Sequence, residues 1–269
     1  MTITRTLFLL SLLCLLVLAA PAAAQTCPCA VEPPPVETLS LEVLAQYPHD
    51  SGSFTQGLLL HDGTFYESAG QYGESDVRQV EIETGEVRRQ VELNERWFAE
   101  GLTLVDDRLI QLTWRENVAI VWDRESLEVI GQYLYETEGW GICYDGTRLY
   151  MSDGSSHLFV RDPQTFRLID MIQVTRDGAP VEQLNELECV GDHVYANIWQ
   201  TDTIVRVQSA TGYVDAVVDA SALLDADVRA GLDAGAVLNG IAYNPETDTF
   251  YLTGKLWPSL FEVRLTEGE

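Results

Sequence analysis

The sequence predicts an all-β protein made of five repeats, and three observations support this fold class. Segments of similar sequence recur every ~40–50 residues, a spacing typical of repeat architectures. Within each repeat, short runs of alternating apolar residues are separated by Gly, Asp, Asn and Pro, the pattern of antiparallel strands and tight turns. The sequence pattern contains no long amphipathic helix. Four antiparallel strands per repeat at this spacing indicate a blade, so we predict a five-bladed β-propeller.

The first two strands of each repeat define its register. The first strands begin, in order, at Gln56, Glu100, Trp140, Asn185 and Asn239. Each is followed by a polar turn, such as Asp145-Gly146-Thr147, and by a second apolar strand, such as Leu149-Tyr150-Met151. An irregular β-sandwich is the alternative, but five segments in one register favour the propeller.

A third strand, a turn and a fourth strand complete each of the first four repeats. These strand pairs span residues 77–91, 119–133, 158–174 and 204–218. The fifth repeat ends after its third strand at 260–265, whereas residues 39–47 resemble the fourth strands of the other repeats. We therefore predict that this N-terminal strand completes the last blade and closes the ring, which removes exposed sheet edges. The propeller domain is predicted over 39–266, with a short helical turn near 221–231.

Residues 1–24 are predicted to be a signal peptide. Arg5 precedes an apolar run, and Ala22-Ala23-Ala24 supplies a small-residue cleavage site. The run is short for a membrane span. We therefore expect an exported mature chain, periplasmic or secreted, that makes no membrane contact. Residues 25–38 form a Pro-rich leader. Four cysteines remain after cleavage, and the sequence does not choose among the pairings of Cys27, Cys29, Cys143 and Cys189.

The net charge of the chain disfavours some classes of binding partner. The 269 residues have a formal net charge of −26 and a pI near 4.3. Nucleic-acid binding requires a basic patch and anionic membranes attract basic segments, so both partners are disfavoured. Of the 16 basic residues, Lys255 is the one lysine. Because the chain otherwise uses Arg, this Lys indicates a need for a compact ammonium group.

The repeat register predicts two rings of residues at one mouth of the central channel. The first strand of each blade lines the channel and the second returns antiparallel to it, so the start of one and the end of the other share a rim. The first ring is Gln56, Glu100, Trp140, Asn185 and Asn239, and the second is Gly70, Trp114, Gly154, Trp199 and Lys255. Phe54 and Phe98 precede Gln56 and Glu100 on the same alternating face. Together they predict a small pocket with aromatic walls and a few polar groups.

Each of these residues also has a purely structural explanation. The tryptophans could pack between blades, the two asparagines could cap turns, and Lys255 could be a surface charge. Their joint placement at one rim favours a functional site. Glu100, Asn185 and Asn239 could instead hold a calcium ion on the propeller axis. The four histidines show no metal-ligand spacing, and the sequence contains no nucleophile-elbow or phosphate-loop motif.

Over residues 40–265 the chain resembles the plant and bacterial glutaminyl-peptide cyclotransferases, also called glutamine cyclases. The resemblance is carried by short motifs that occur in the same order along the chain. They are Pro48-His49-Asp50, Phe54-Thr55-Gln56-Gly57, Phe65-Tyr66-Glu67-Ser68, Glu100-Gly101-Leu102-Thr103, Gln111-Leu112-Thr113-Trp114, Gly139-Trp140-Gly141, Met151-Ser152-Asp153-Gly154, Leu184-Asn185-Glu186-Leu187-Glu188, Ala196-Asn197-Ile198-Trp199, Leu238-Asn239-Gly240-Ile241 and Thr253-Gly254-Lys255-Leu256-Trp257-Pro258.

The resemblance implies a five-bladed propeller that converts an N-terminal glutamine into pyroglutamate with release of ammonia. The implied site residues are Phe54, Gln56, Phe98, Glu100, Trp114, Trp140, Asn185, Trp199 and Lys255. We hypothesise that Glu100 serves as general base and then general acid, and that Lys255 with Asn185 or Gln56 holds the oxyanion. The aromatic side chains would fold the substrate side chain over its own amine.

The expected partners are peptides or proteins with an N-terminal Gln, acted on by a monomer. No metal is needed for this chemistry, although a structural calcium ion in the channel is compatible with it. Two other classes remain open at this point. A calcium-dependent lactonase or esterase would be sensitive to chelators, although such propellers have six blades. A non-catalytic peptide-binding propeller would release no ammonia.

Overall fold

The computed structural model describes residues 33–267, and almost all of its regular structure is β-strand. Five groups of four antiparallel strands, numbered in chain order and called blades 1 to 5, make up the fold. Blade 1 contains β2 (Thr55–His61), β3 (Thr64–Ala69), β4 (Asp76–Val80) and β5 (Val87–Glu92), and blade 2 contains β6 (Ala99–Val105), β7 (Arg108–Thr113), β8 (Val118–Asp123) and β9 (Val129–Leu134). Blade 3 contains β10 (Ile142–Tyr144), β11 (Leu149–Met151), β12 (His157–Arg161) and β13 (Leu168–Gln173). Blade 4 contains β16 (Leu184–Val190), β17 (His193–Ile198), β18 (Thr203–Gln208) and β19 (Val214–Asp219), and blade 5 contains β20 (Leu238–Asn244), β21 (Thr249–Gly254), β22 (Ser259–Glu267) and β1 (Glu37–Pro48).

The inner strands of the blades contact one another in a closed cycle. The contacts run from β2 to β6, β10, β16 and β20, and β20 returns to β2. Each inner strand therefore borders a central channel, and the predicted all-β propeller fold is confirmed. A ring of this kind leaves only the short outer strands as edges.

The N-terminal strand completes blade 5. β1 pairs antiparallel with β22, from Leu39 opposite Glu267 to Pro48 opposite Ser259. It also pairs in parallel with β19, where Glu37 lies opposite Ala216, so blades 4 and 5 form one continuous sheet. The strand therefore begins at Glu37, ahead of the boundary predicted at residue 39. The two pairings join β1 to both blade 4 and blade 5.

Over residues 33–267 the hydrophobic core consists of five apolar clusters, each between two neighbouring blades. Both faces of the inner strands are covered by neighbouring blades, so these strands are nearly continuously buried. β6, for example, has one residue that is not fully buried. The outermost strands are exposed on both faces over part of their length, as the neighbouring Val129 and Ile130 on β9 and Met171 on β13 show. Burial thus decreases from the channel outward, and the inner ends of the blades are the most rigidly packed part of the fold.

Two small elements lie outside the repeats. The helix α1 (Ala226–Ala230) falls within the predicted helical turn. A hairpin of β14 (Thr175–Arg176) and β15 (Ala179–Pro180) precedes blade 4 and was not predicted, although Asp177-Gly178 is a strong hairpin signal. In the part of the chain that the structure describes, no helix has the length and apolar character of a membrane span.

A disulfide joins the inner strands of blades 3 and 4. Cys143 on β10 bonds to Cys189 on β16, and the two residues are 46 positions apart in sequence with their Cα atoms 5.4 Å apart. Of the cysteine pairings that the sequence left open, the structure contains this one. Cys27 and Cys29, together with the predicted signal peptide and most of the predicted leader, lie outside the described residues.

We expect the Cys143→Ala/Cys189→Ala variant to be less stable by about 4 kcal/mol, the chain-entropy value for a closed loop of this size. The free energy of unfolding would be measured by urea titration of oxidised wild type and variant. The wild type under reducing conditions provides the control and should lose a similar amount. A variant as stable as the oxidised wild type would contradict a stabilising role for the bond.

Candidate active site

One cavity at the channel mouth is lined by all nine side chains that the family resemblance implied. Its volume is about 220 Å³, and its lining is Phe54, Gln56, Phe98, Glu100, Trp114, Trp140, Asn185, Trp199 and Lys255. Each comes from the start of an inner strand, the end of a second strand, or the adjoining loop. The ring therefore gathers side chains from all five blades. Asn239, Gly70 and Gly154, also predicted for the two rings, do not line this cavity.

The two glycines of the second ring make room for aromatic neighbours. A Cβ on Gly70 would collide with the Phe98 ring, and a Cβ on Gly154 would lie 2.6 Å from Cζ2 of Trp140. Gly154 also has a φ of +82°, a backbone conformation that favours glycine. These positions therefore carry no side chain because the aromatic wall of the cavity occupies the space.

We expect Gly154→Ala to displace Trp140 and to lower the catalytic activity of the cavity, measured as kcat/KM, about tenfold or more, because small misplacements of positioning groups are costly. Gly146→Ala is a matched control, since Gly146 has a φ of +91° but a Cβ added there would meet no atom within 4 Å. Both variants should lose about 1–3 kcal/mol of stability from backbone strain. Equal activity in the two variants would contradict the role assigned to Gly154.

The aromatic lining forms two series of edge-to-face contacts. Phe98 contacts Phe54 and Trp114, with ring centroids 6.1 and 5.6 Å apart. Trp140 contacts Trp199 at 5.4 Å. Rings packed in this geometry have few alternative positions. The cavity therefore has a rigid apolar wall around its polar groups.

Glu100 is the carboxylate of the cavity. It is 5% exposed, and its Oε1 accepts a 3.0 Å hydrogen bond from Gln56 Nε2. Burial raises the pKa of Glu100 well above its ordinary value. The positive charge of Lys255 opposes this increase, whereas the negative charges of Glu138 and Glu116 add to it. A carboxyl group in this state can accept and return a proton near neutral pH.

Gln56 is held in one orientation by Asn239. Asn239 Nδ2 donates to the backbone oxygen of Thr55 at 2.9 Å and to Gln56 Oε1 at 3.4 Å. The Gln56 amide nitrogen consequently points to Glu100. One of the two N–H groups of this amide is thereby engaged by Glu100, and a role for Gln56 in holding the oxyanion stays a prediction. Asn239, predicted for the ring, lies behind Gln56 and supports it.

Lys255 is the buried basic side chain that lines the cavity. It is 4% exposed, and its Nζ lies 4.7 Å from the centroid of the Phe54 ring. Burial lowers the pKa of Lys255 to about 8, while the charge of Glu100 acts in the opposite direction. The Lys255 backbone donates to Val237 O at 2.9 Å, and the next residue, Leu256, donates to Ser53 O at 2.7 Å. These bonds fix the lysine between blades 5 and 1.

Two glutamates near the channel were not singled out from the sequence. Glu186 stands on β16 where the other four repeats have Gly, and it accepts hydrogen bonds from Ile241 N at 2.9 Å and Leu58 N at 3.3 Å. It therefore links blades 4, 5 and 1 across the channel. The replacement of the repeated Gly by Glu186 was the sequence signal that could have identified this residue. The second, Glu138, bonds to two tryptophans of the cavity and lies in a loop outside the repeat register.

The groups at the site that could bind a cation are amide oxygens of asparagine side chains. Within residues 33–267, no group of three or more His, Cys, Asp or Glu side chains could hold a metal ion. The buried oxygens Asn185 Oδ1 and Asn239 Oδ1 have no hydrogen-bond partner among the described residues. Such acceptors require a donor or a cation from elsewhere. A calcium ion in the channel stays a prediction.

Comparison with known proteins identifies the family of this chain. A family model described as Glutamine cyclotransferase matches residues 9–265. A glutaminyl-peptide cyclotransferase of Arabidopsis thaliana is 38% identical over 230 residues, covering 85% of this chain and 72% of the relative. The crystal structure of Myxococcus xanthus glutaminyl cyclase superimposes with a TM-score of 0.82 at 39% identity, covering 87% of this chain and 100% of the other. The chain belongs to the glutamine cyclotransferase family.

Proposed function

We propose that the cavity cyclises the N-terminal glutamine of peptides, with Glu100 as the proton-transfer group. The single observation that supports this best is a buried carboxyl of raised pKa, enclosed with a lysine by five aromatic side chains. The α-amine forms a bond to the γ-carboxamide carbon of the same residue, and the C–N bond to the leaving nitrogen then breaks. The products are a pyroglutamyl peptide and ammonia.

In this proposal Glu100 carries one proton from the amine to the leaving group. The amine loses a proton to the Glu100 carboxylate as it attacks, and the resulting carboxylic acid returns it to the departing nitrogen. Aromatic surroundings make this carboxylate more basic than one in water. The hydrogen bond from Gln56 keeps Oε1 engaged, so the other oxygen is the one available for the transfer.

We assign the oxyanion of the tetrahedral intermediate to Lys255. Its ammonium is buried beside Phe54, where a charge is weakly screened and acts strongly on a developing negative oxygen. Asn185, in the same cavity, has a buried Oδ1 that accepts no hydrogen bond from any described residue. That oxygen suits acceptance of a hydrogen bond from a substrate N–H. This role for Asn185 differs from the oxyanion donor hypothesised for it from the sequence.

The aromatic wall is assigned to substrate folding. The glutamine side chain must bend back so that its carbonyl carbon meets its own amine, and a cavity of about 220 Å³ restricts it to compact conformers. Holding two reacting groups in contact in this way supplies several kcal/mol of catalysis. The apolar wall also excludes water from the carboxamide, which disfavours hydrolysis to glutamate.

The experiment that tests the function is mass spectrometry of a short N-terminal Gln peptide incubated with the purified protein. We expect loss of one ammonia per peptide at a rate far above the spontaneous one. The same peptide with an acetylated N-terminus is the control and should not react, because it lacks a nucleophilic amine. No reaction of the free peptide with the folded protein would refute the proposal. Loss of activity on addition of a chelator would favour the calcium-dependent alternative.

We further propose that the chain works in an exported compartment. The predicted signal peptide and the disulfide between Cys143 and Cys189 support this, because such bonds persist in oxidising environments. N-terminal sequencing of the protein recovered from the periplasm or medium tests it. Processing after Ala24 is expected, and an unprocessed cytoplasmic protein would refute the proposal.

A further inference from the structure

A carboxylate joins the two aromatic series of the cavity. Phe54, Phe98 and Trp114 form one series, and Trp140 and Trp199 form the other. Glu138 connects them: its Oε2 accepts hydrogen bonds from Trp114 Nε1 at 2.8 Å and from Trp140 Nε1 at 3.1 Å. One oxygen atom therefore sets the distance between indoles that belong to blades 2 and 3.

The other carboxylate oxygen of Glu138 is also engaged. Oε1 accepts a 2.9 Å hydrogen bond from Arg115 Nε. The Arg115 guanidinium lies 3.7 Å from the centroid of a Trp114 ring, so it packs against the same indole that Glu138 binds. Arg115 thereby holds the carboxylate from one side while the two indoles hold it from the other. A charged acceptor with three N–H donors makes stronger bonds than a neutral one.

The backbone around Glu138 is fixed to the same two tryptophans. Gly139 N donates to the Trp114 carbonyl oxygen at 2.9 Å, and Trp140 N donates to Ser152 O at 3.0 Å. The Glu138 side chain is 38% exposed, yet the segment that carries it cannot move independently of blades 2 and 3. Hydrogen bonds from Trp140, Trp114 and Arg115 together outweigh partial burial and lower the pKa of Glu138, which keeps it ionised at neutral pH.

We propose that Glu138 is a positioning residue for the cyclisation, because its carboxylate fixes the spacing of Trp114 and Trp140 around the folded glutamine side chain. This inference rests on the proposed function of the cavity. Glu138 acts through the indoles and does not itself touch the reacting atoms. Its charge also reaches Glu100 through space, as does that of Glu116, so the two effects must be separated by experiment.

Three variants separate positioning from charge. Glu138→Ala removes acceptor and charge, Glu138→Gln keeps one oxygen that can accept both indole N–H groups, and Glu138→Asp keeps the charge but withdraws it by one methylene. We expect kcat/KM to fall at least ~10-fold in the Ala and Asp variants and to stay within ~3-fold of wild type in the Gln variant. Glu116→Gln is the matched loss of charge, because Glu116 bonds to Tyr72 and Phe98 N and to neither indole.

Equal losses in the Ala and Gln variants, matched by Glu116→Gln, would overturn the proposal in favour of a charge effect. Wild-type kcat/KM in Glu138→Ala would also overturn it. A second readout uses the free protein: the indole N–H resonances of Trp114 and Trp140, assigned with Trp→Phe variants, should shift in Glu138→Ala and move less in Glu138→Gln. Unchanged resonances in Glu138→Ala would refute the contact itself. If the wild type fails to cyclise any N-terminal Gln peptide, the proposed function fails, and the assigned role of Glu138 in the reaction fails with it.

Discussion

Glu100→Gln is expected to remove most turnover while the propeller stays folded. The amide cannot accept the amine proton, and removal of a general acid–base group lowers rates by ~10²–10⁴-fold. The fold should persist because Gln56 Nε2, which donates to Glu100 Oε1, can donate equally to the oxygen of a glutamine. Replacing a buried carboxyl by an amide of the same size also leaves no cavity. kcat from ammonia release and the unfolding midpoint would be measured together.

A matched control distinguishes chemistry from local disturbance. Glu186 is also buried, and its pKa is also raised well above normal, but it bonds to backbone N–H groups of blades 1 and 5. We expect Glu186→Gln to affect stability more than turnover. Wild-type kcat in Glu100→Gln would refute the proton-transfer role. A kcat loss in Glu186→Gln as large as in Glu100→Gln would show that any buried glutamate of the channel matters equally.

Much of this fold was predictable because the sequence patterns that determine it are local and recur in each repeat. Alternation along a strand decides which side chains face a neighbouring blade, and the turn residues decide where each strand ends. The register of five repeats then places the first residue of every inner strand at one rim. Glu100 and Asn185 could therefore be assigned to one site although 85 positions separate them in sequence.

The features that escaped prediction depend on contacts between blades. The Cys143–Cys189 pairing requires knowing that two inner strands lie side by side at matching heights. Glu138 sits in a loop, where no periodicity fixes its direction, and its partners come from two different blades. The orientation of the Gln56 amide depends on Asn239, from a repeat at the far end of the chain. Propensity and pattern carry no information on such long-range side-chain contacts.

The second large effect is expected for Lys255→Met, which retains the length and apolar character of the side chain but removes its charge. Loss of a preorganised oxyanion-stabilising group lowers kcat by ~10²–10³-fold. Methionine fills the space beside Phe54 without an ammonium to desolvate, and the further increase in the pKa of Glu100 lets that carboxyl stay protonated, so the unfolding free energy should change little. Wild-type kcat in this variant would contradict the role of the ammonium.

The pH profile provides an independent test of Lys255. Its pKa is lowered to about 8, so the ammonium is lost, and activity falls, as pH rises through about 8. The α-amine of the free substrate titrates in the same pH range, so it also contributes to the pH dependence of kcat/KM. Lys255→Arg separates the two groups, because a guanidinium stays charged throughout. We expect this variant to be slower but to lose the alkaline decline in kcat, and an unchanged decline would assign it to another group.

The acidic side of the profile tests the coupling between Lys255 and Glu100. The lysine charge opposes the increase in the pKa of Glu100. Removing that charge in Lys255→Met therefore raises the pKa of Glu100 further, and the acidic limb of residual kcat should move to higher pH. The reverse holds for Lys255 in Glu100→Gln, where loss of the carboxylate charge lowers the lysine pKa below about 8. Opposite shifts in the two variants would show that the two buried groups interact electrostatically, as the proposed mechanism requires.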